Sequence, residues 1–119
     1  MLIPELYTSE QISCTDRSCH ASVFFNPHHP LYRGHFPGEP VTPGVCLIQA
    51  ATELLSGATG SALRLISARQ IKFLQMHHPE APLRFELTWS EKVEWLHGRI
   101  SIFHNDSCIA KIDAQFEQT

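Results

Sequence analysis

One stretch decides how this chain can fold. Pro27, Pro30, Pro37, Pro40 and Pro43 punctuate NPHHPLYRGHFPGEPVTP, and each restricts the residue before it and disfavours helix. The loop is therefore irregular but stiff. Directly after it, Val45, Leu47, Ile48, Ala50, Ala51, Leu54 and Leu55 cover nearly the whole circumference of a helical run. That spread predicts a helix largely wrapped by protein rather than one with a wet face. Thr42 is placed to cap it, Pro43 to take its first position, and Gly57 or Gly60 to end it.

Everything else of regular pattern is strand. Ser18 to Asn26 is rich in aromatic and β-favouring residues and stops at Pro27. From Leu63 the period is two: Phe85, Leu87 and Trp89 alternate with polar residues, as do Leu96, Gly98, Ile100 and Ile102, and then Cys108, Ala110, Ile112, Ala114 and Phe116. HNDS, from His104 to Ser107, is a turn signal between the last two runs, so the C-terminal third reads as an antiparallel meander. One helix with about five or six strands has to cover the apolar face of the sheet, which predicts an α+β layer arrangement. The 119 residues give room for one domain, expected to span residues 1–119.

Composition narrows the function classes. The net charge of −3 comes with no basic run, so a nucleic-acid partner is not expected. MLIPELYTSEQ lacks a basic start followed by an apolar core, and no stretch of about 18 apolar residues occurs. A cytoplasmic protein with no membrane span is expected. Cys14, Cys19, Cys46 and Cys108 form no CxxC pair and read as four free small hydrophobes. His28 and His29 near His35, and His77 beside His78, show no regular ligand spacing, so neither a metal nor another cofactor is expected.

The chemistry-bearing residues sit where loop meets helix. Gly44 falls in the first turn, where backbone N–H groups lack intrahelical partners and the helix dipole favours negative charge. Gly34 and Gly38 flank His35 and permit close backbone approach, so an imidazole of near-neutral pKa could be held near those donors. A base beside an oxyanion site suits proton abstraction next to a thioester carbonyl. Further along, Gln49 and Glu53 lie four residues apart on one stripe of the helix. On spacing alone, Gln49 reads as a satisfied buried amide and Glu53 as a solvated residue near the helix end.

The segment YRGHFPGEPVTPGVCLIQAATE, Tyr32 to Glu53, resembles the 3-hydroxyacyl-acyl-carrier-protein dehydratases, whose signature is a GHFPGxPxxPGV loop entering the central helix. ISARQIKFLQMHHPEAPLRFEL continues the resemblance more weakly, through a strand, a proline turn and the next strand. The resemblance implies the hot dog fold, an antiparallel sheet wrapped around one long helix and paired into dimers by edge strands. It implies His35 as the base that takes the C2 proton and Gly44 as the amide that holds the thioester carbonyl. Val45 and Phe36 are implied beside the substrate. The family's second catalytic residue, an Asp or Glu, falls at position 49, and here it is Gln49. Glu53 stands where the family often has Gln, so the two polar residues look exchanged.

An amide delivers no proton at neutral pH. Three expectations follow. The chain is a dehydratase whose acid has moved to Glu53, its pKa raised by burial, or to a water held by Gln49. Alternatively it is an acyl-thioesterase on the same fold, or a non-catalytic acyl-binding subunit of a heteromeric dehydratase. The substrate is an acyl thioester on acyl carrier protein or coenzyme A, with Arg33, Arg64, Arg69 and Lys72 as candidates for an acidic carrier's landing surface. The assembly expected is a homodimer or a multiple of it.

Overall fold

The computed structural model describes residues 2–34 and 38–119. Six strands form one sheet: β1 (Tyr7–Thr15), β2 (Ser18–Phe25), β3 (Leu63–Phe73), β4 (Leu83–Glu91), β5 (Trp95–His104) and β6 (Ser107–Gln118). Helix α1 (Gly44–Thr59) lies between β2 and β3 in the chain, after a short 3-10 turn at Pro30–Gly34. The strand order is β1-β2-β4-β5-β6-β3, with every neighbouring pair antiparallel. One helix and a six-strand antiparallel sheet match the expected α+β arrangement.

The alternation read from the sequence is the burial pattern of β4, β5 and β6. Phe85, Leu87, Leu96, Ile100, Ile102, Ile112, Ala114 and Phe116 are buried on one face, with Leu47, Ala50, Ala51 and Leu55 of α1 in the same core. Gly98 lets the helix settle onto this face. A Cβ there would stand 2.9 Å from Cε1 of Phe116 and 3.0 Å from Cδ2 of Leu55, both fully buried. Asn105 and Asp106 make the two-residue turn of the β5–β6 hairpin, and Asn105 supplies the left-handed conformation it needs (φ 52).

Four expectations change. β1 has no apolar alternation and was not legible as a strand; it is an edge strand, exposed from Glu10 onward, that pairs only with β2. α1 is buried on one side only. Val45 is 68% exposed and Ile48, Gln49 and Glu53 are half-buried, because a single chain supplies one sheet face and not a complete wrap. Pro43, not Thr42, is the N-cap, with no side-chain cap bond, since the Thr42 hydroxyl is engaged with Tyr32 and His77. Finally, Cys14 and Cys19 are not free. They are register partners across β1 and β2, with Cα atoms 4.1 Å apart, and are joined as a disulfide, while Cys46 and Cys108 remain free thiols.

Candidate active site

The start of α1 is built by the sequence around it. Pro43 fixes the chain at φ −59 and supplies its carbonyl to the amides of Cys46 (2.9 Å) and Leu47 (3.4 Å). The amides of Gly44 and Val45 are left without a partner inside the helix, the ordinary condition of a first turn. Over Gly44 lies the ring of Phe73, at the end of β3, so close that a Cβ on residue 44 would come 2.5 Å from it. Only glycine fits. Thr42, Gly44, Leu47, Phe73, Met76 and His77 are among the residues lining a cleft of about 350 Å³ at this end of the helix.

Behind the cleft is a buried polar cluster that sequence reasoning missed. The Tyr32 hydroxyl lies 2.8 Å from the Thr42 hydroxyl, which lies 2.7 Å from His77 Nδ1. His77 Nε2 lies 2.9 Å from the carbonyl of Ala81, and the ring meets Phe25 edge-on with centroids 5.4 Å apart. Burial is the main force holding the imidazole below its ordinary pKa, aided by His104 and His78 and opposed by the Ala81 carbonyl. A histidine inside an apolar strand or helix draws notice. One in a loop reads as a surface residue, and His77 sits in a loop.

The helix polar pair is joined, though not as expected. Gln49 donates from Nε2 to Glu53 Oε2 at 3.1 Å, the Leu2 amide donates to the same oxygen at 2.5 Å, and the Tyr7 hydroxyl donates to Oε1 at 2.5 Å. The sequence led us to expect burial to raise the Glu53 pKa so that the carboxyl keeps a proton. Burial does push it up, but the hydrogen bonds from Tyr7, Leu2 and Gln49 outweigh it, and the pKa lies below the usual carboxylate value. Glu53 is a carboxylate held by three donors. The same contact, with burial as the larger cause, drives the Tyr7 pKa far up, so its proton stays on the phenol.

Within one chain Gly44 and Glu53 line different clefts. Gly44 lines the first, whereas Tyr7, Glu53, Leu54, Gly57 and Ala58 line another of about 480 Å³ between β1, β2 and the second half of α1. Glu53 lies nine positions further along the helix than Gly44, about 13 Å along the axis. His35 and Phe36 lie outside the described residues. Among the described residues no group of three or more His, Cys, Asp or Glu is placed to hold a metal, and no helix is long and apolar enough to cross a membrane.

A family model, the ApeI-like family of the ApeI dehydratase, matches residues 11–111 of this chain. The chain belongs to that family. The match takes in the GHFPG loop and all of α1. The chain is also similar to the 3-hydroxyacyl-[acyl-carrier-protein] dehydratase FabZ of Caulobacter vibrioides, 31% identical over a 100-residue alignment that covers 66% of this chain and 59% of that protein. FabZ of Sinorhizobium fredii is 32% identical over 95 residues, 74% of this chain and 57% of that protein. The matched region thus spans less than three fifths of these relatives' length. Among solved structures, the dehydratase heterocomplex ApeI:P from Xenorhabdus doucetiae superposes with a TM-score of 0.73, at 22% identity over 93% of this chain and 95% of that one. The PaaI protein of Escherichia coli, from the phenylacetic acid degradation operon, superposes at 0.71, with 13% identity over 95% and 79%. The fold shared with the family is the hot dog.

Proposed function

We propose that this chain dehydrates 3-hydroxyacyl thioesters, carried on acyl carrier protein, to trans-2-enoyl thioesters for fatty acid or polyene-type lipid synthesis. His35 takes the proton from C2. The C2–H electron pair becomes the C2–C3 double bond as the hydroxyl leaves C3. The Gly44 amide holds the thioester oxygen while negative charge builds on it, and Val45 and Phe36 flank the acyl group. The departing hydroxyl takes a proton from a water held by Gln49, because Glu53 has none to give, and the hydroxide left there is neutralised by the proton that His35 took from C2. Glu53 then fixes the Gln49 amide, accepting from Nε2 so that the side-chain carbonyl faces away from it.

The observation that carries this reading is the family match across residues 11–111, which covers both the loop bearing His35 and the helix bearing Gly44 and Gln49. Gly44, whose amide has no partner inside the helix, lines a cleft together with Phe73, which supports this reading. Incubation of the protein with 3-hydroxyacyl and 2-enoyl thioesters of several chain lengths, followed by mass spectrometry for loss or gain of water, tests it. The expected result is interconversion. No change on any chain length overturns it.

One observation favours a second reading. Neither Gln49 nor the ionised Glu53 carries a transferable proton, as a subunit that contributes half a site to a heteromeric dehydratase would allow. Under it the chain alone is inert on the same thioesters, and activity appears only with a second hot dog subunit.

A further inference from the structure

The chain on both sides of residues 35–37 is tied to one buried side chain. Before them, Tyr32 of the 3-10 turn is 5% exposed, with its hydroxyl on Thr42. After them, Thr42 is 4% exposed and is bound to His77 twice, by its hydroxyl to Nδ1 at 2.7 Å and by its amide to the His77 carbonyl at 2.8 Å. Beside this, His78 Nδ1 meets the Pro40 carbonyl at 3.1 Å. His77 stands on a scaffold. Its loop is fastened to the sheet through the amides of Leu74 and Gln75 on the Ile109 carbonyl and through His104 Nδ1 on the Pro82 carbonyl.

The partners fix every proton in the cluster. The carbonyl of Ala81 accepts only, so His77 Nε2 carries the hydrogen and Nδ1 of the neutral ring is an acceptor. The Thr42 hydroxyl must therefore donate to Nδ1, and the Tyr32 hydroxyl must donate to Thr42 Oγ1. The relay runs one way, from Tyr32 to Thr42 to His77. A proton on Nδ1 would turn the acceptor into a donor and leave the Thr42 hydrogen without this acceptor in a buried site, beside a new charge.

We propose that His77 is a positioning residue for the active site, holding through Thr42 and Tyr32 the start of α1 and the two flanks of the GHFPG segment in register while its ring is neutral. Thr42 stands two residues before Gly44, so the direction in which the chain enters α1, and with it the aim of the Gly44 amide, depends on the Thr42–His77 bonds. The role rests on the dehydratase reading for its consequence in catalysis, but not for its effect on structure. The charged or titratable neighbours of the ring are His78 and His104, both of which oppose its protonation, as burial does. Because the folded ring's pKa is lowered, the latch holds as the pH passes the ordinary histidine value of about 6.5 and is lost only as it falls through the lower, folded value.

The test compares wild type with Thr42→Val and Tyr32→Phe, which remove hydroxyls but keep shape, and with Thr42→Ser, which restores the donor. Amide hydrogen exchange is read across the protein, the tautomer of His77 by nitrogen NMR of labelled imidazoles, and kcat and KM on a 2-enoyl thioester. The expected result is a neutral Nε2–H ring in wild type, and in Thr42→Val exchange about tenfold faster over Gly44 to Leu47 with β4 to β6 unchanged. A kcat lowered about 10- to 100-fold, KM held within about twofold, and recovery in Thr42→Ser complete the pattern. An Nδ1–H tautomer, unchanged exchange at the start of α1, or faster exchange throughout the sheet overturns the proposal. Wild type inert on every thioester overturns the dehydratase reading instead and leaves the exchange and tautomer results to decide the latch.

Discussion

At the scale of single residues, the proposed chemistry depends on a proton taken at one place and returned at another. His35→Ala should lower dehydration about 10²- to 10⁴-fold, the usual cost of losing a general base, with an unchanged circular dichroism spectrum. The polar pair gives a sharper expectation. Residue 49 lies 3.1 Å from the Glu53 carboxylate, so Gln49→Glu places two carboxylates in contact, and such a pair shares one proton up to a higher pH than either alone would. That variant gains a carboxyl that keeps its proton to a higher pH than a lone one, at the position where the resemblance places the family's carboxylate. Hydration of a 2-enoyl thioester, followed by absorbance, should be faster than in wild type, and an unchanged rate with the fold intact would remove position 49 from the reaction. Glu53 itself makes a stability prediction. Its folded pKa is depressed, so its contribution is present above the unfolded carboxylate value of about 4.3 and is lost as pH falls through the folded value. Melting temperature measured from pH 6 to pH 3 should fall less steeply in Tyr7→Phe, which removes the foremost of the bonds that depress it.

At the scale of elements, what could be read in the sequence depended on whether a segment buries a face. Phe85 and Leu87, Ile100 and Ile102, or Ile112 and Phe116 alternate because the sheet is apolar toward α1 and wet outside, and a period of two survives that without any knowledge of partners. β1 buries Tyr7 and then runs exposed along the sheet edge, so its sequence carries no such period, and the Tyr7–Glu53 bond was out of reach with it. The disulfide was missed for the same reason, since Cys14 and Cys19 meet only once β1 is laid against β2. The GHFPG loop and the residues of α1 drew notice as a candidate site through their family resemblance, since glycine, proline and histidine at a helix start leave a structural role open. The direction of the Glu53 pKa was not legible, because it depends on donors from residues 2 and 7. Gly98 offers the check on helix–sheet packing. A methyl added there meets the buried side chains of Phe116 and Leu55, and overpacking of this kind costs about 1–3 kcal/mol. Gly98→Ala should lower the urea midpoint with the slope unchanged.

At the scale of the whole molecule, Glu53 and Gly44 line separate clefts within one chain, and the helix leaves Val45 68% exposed. Phe73 and Leu74 are each 50% exposed and Met76 67%, at the end of β3, whose outer edge has no strand beside it among the described residues. An open strand edge next to exposed apolar side chains is a template for association, so the expected assembly is a homodimer in which each site takes His35 from one chain and the polar pair from the other. That arrangement predicts complementation. His35→Ala and Gln49→Leu, each inactive alone, would on mixing and re-equilibration form hybrid dimers holding one site with both mutations and one with neither. Random exchange makes half of all dimers hybrids, and each hybrid has one working site of two, so the mixture should recover about a quarter of the wild-type rate. If His35 and Gln49 of one chain served the same site, every site in every dimer would lack one of them and the mixture would stay at the level of its parents.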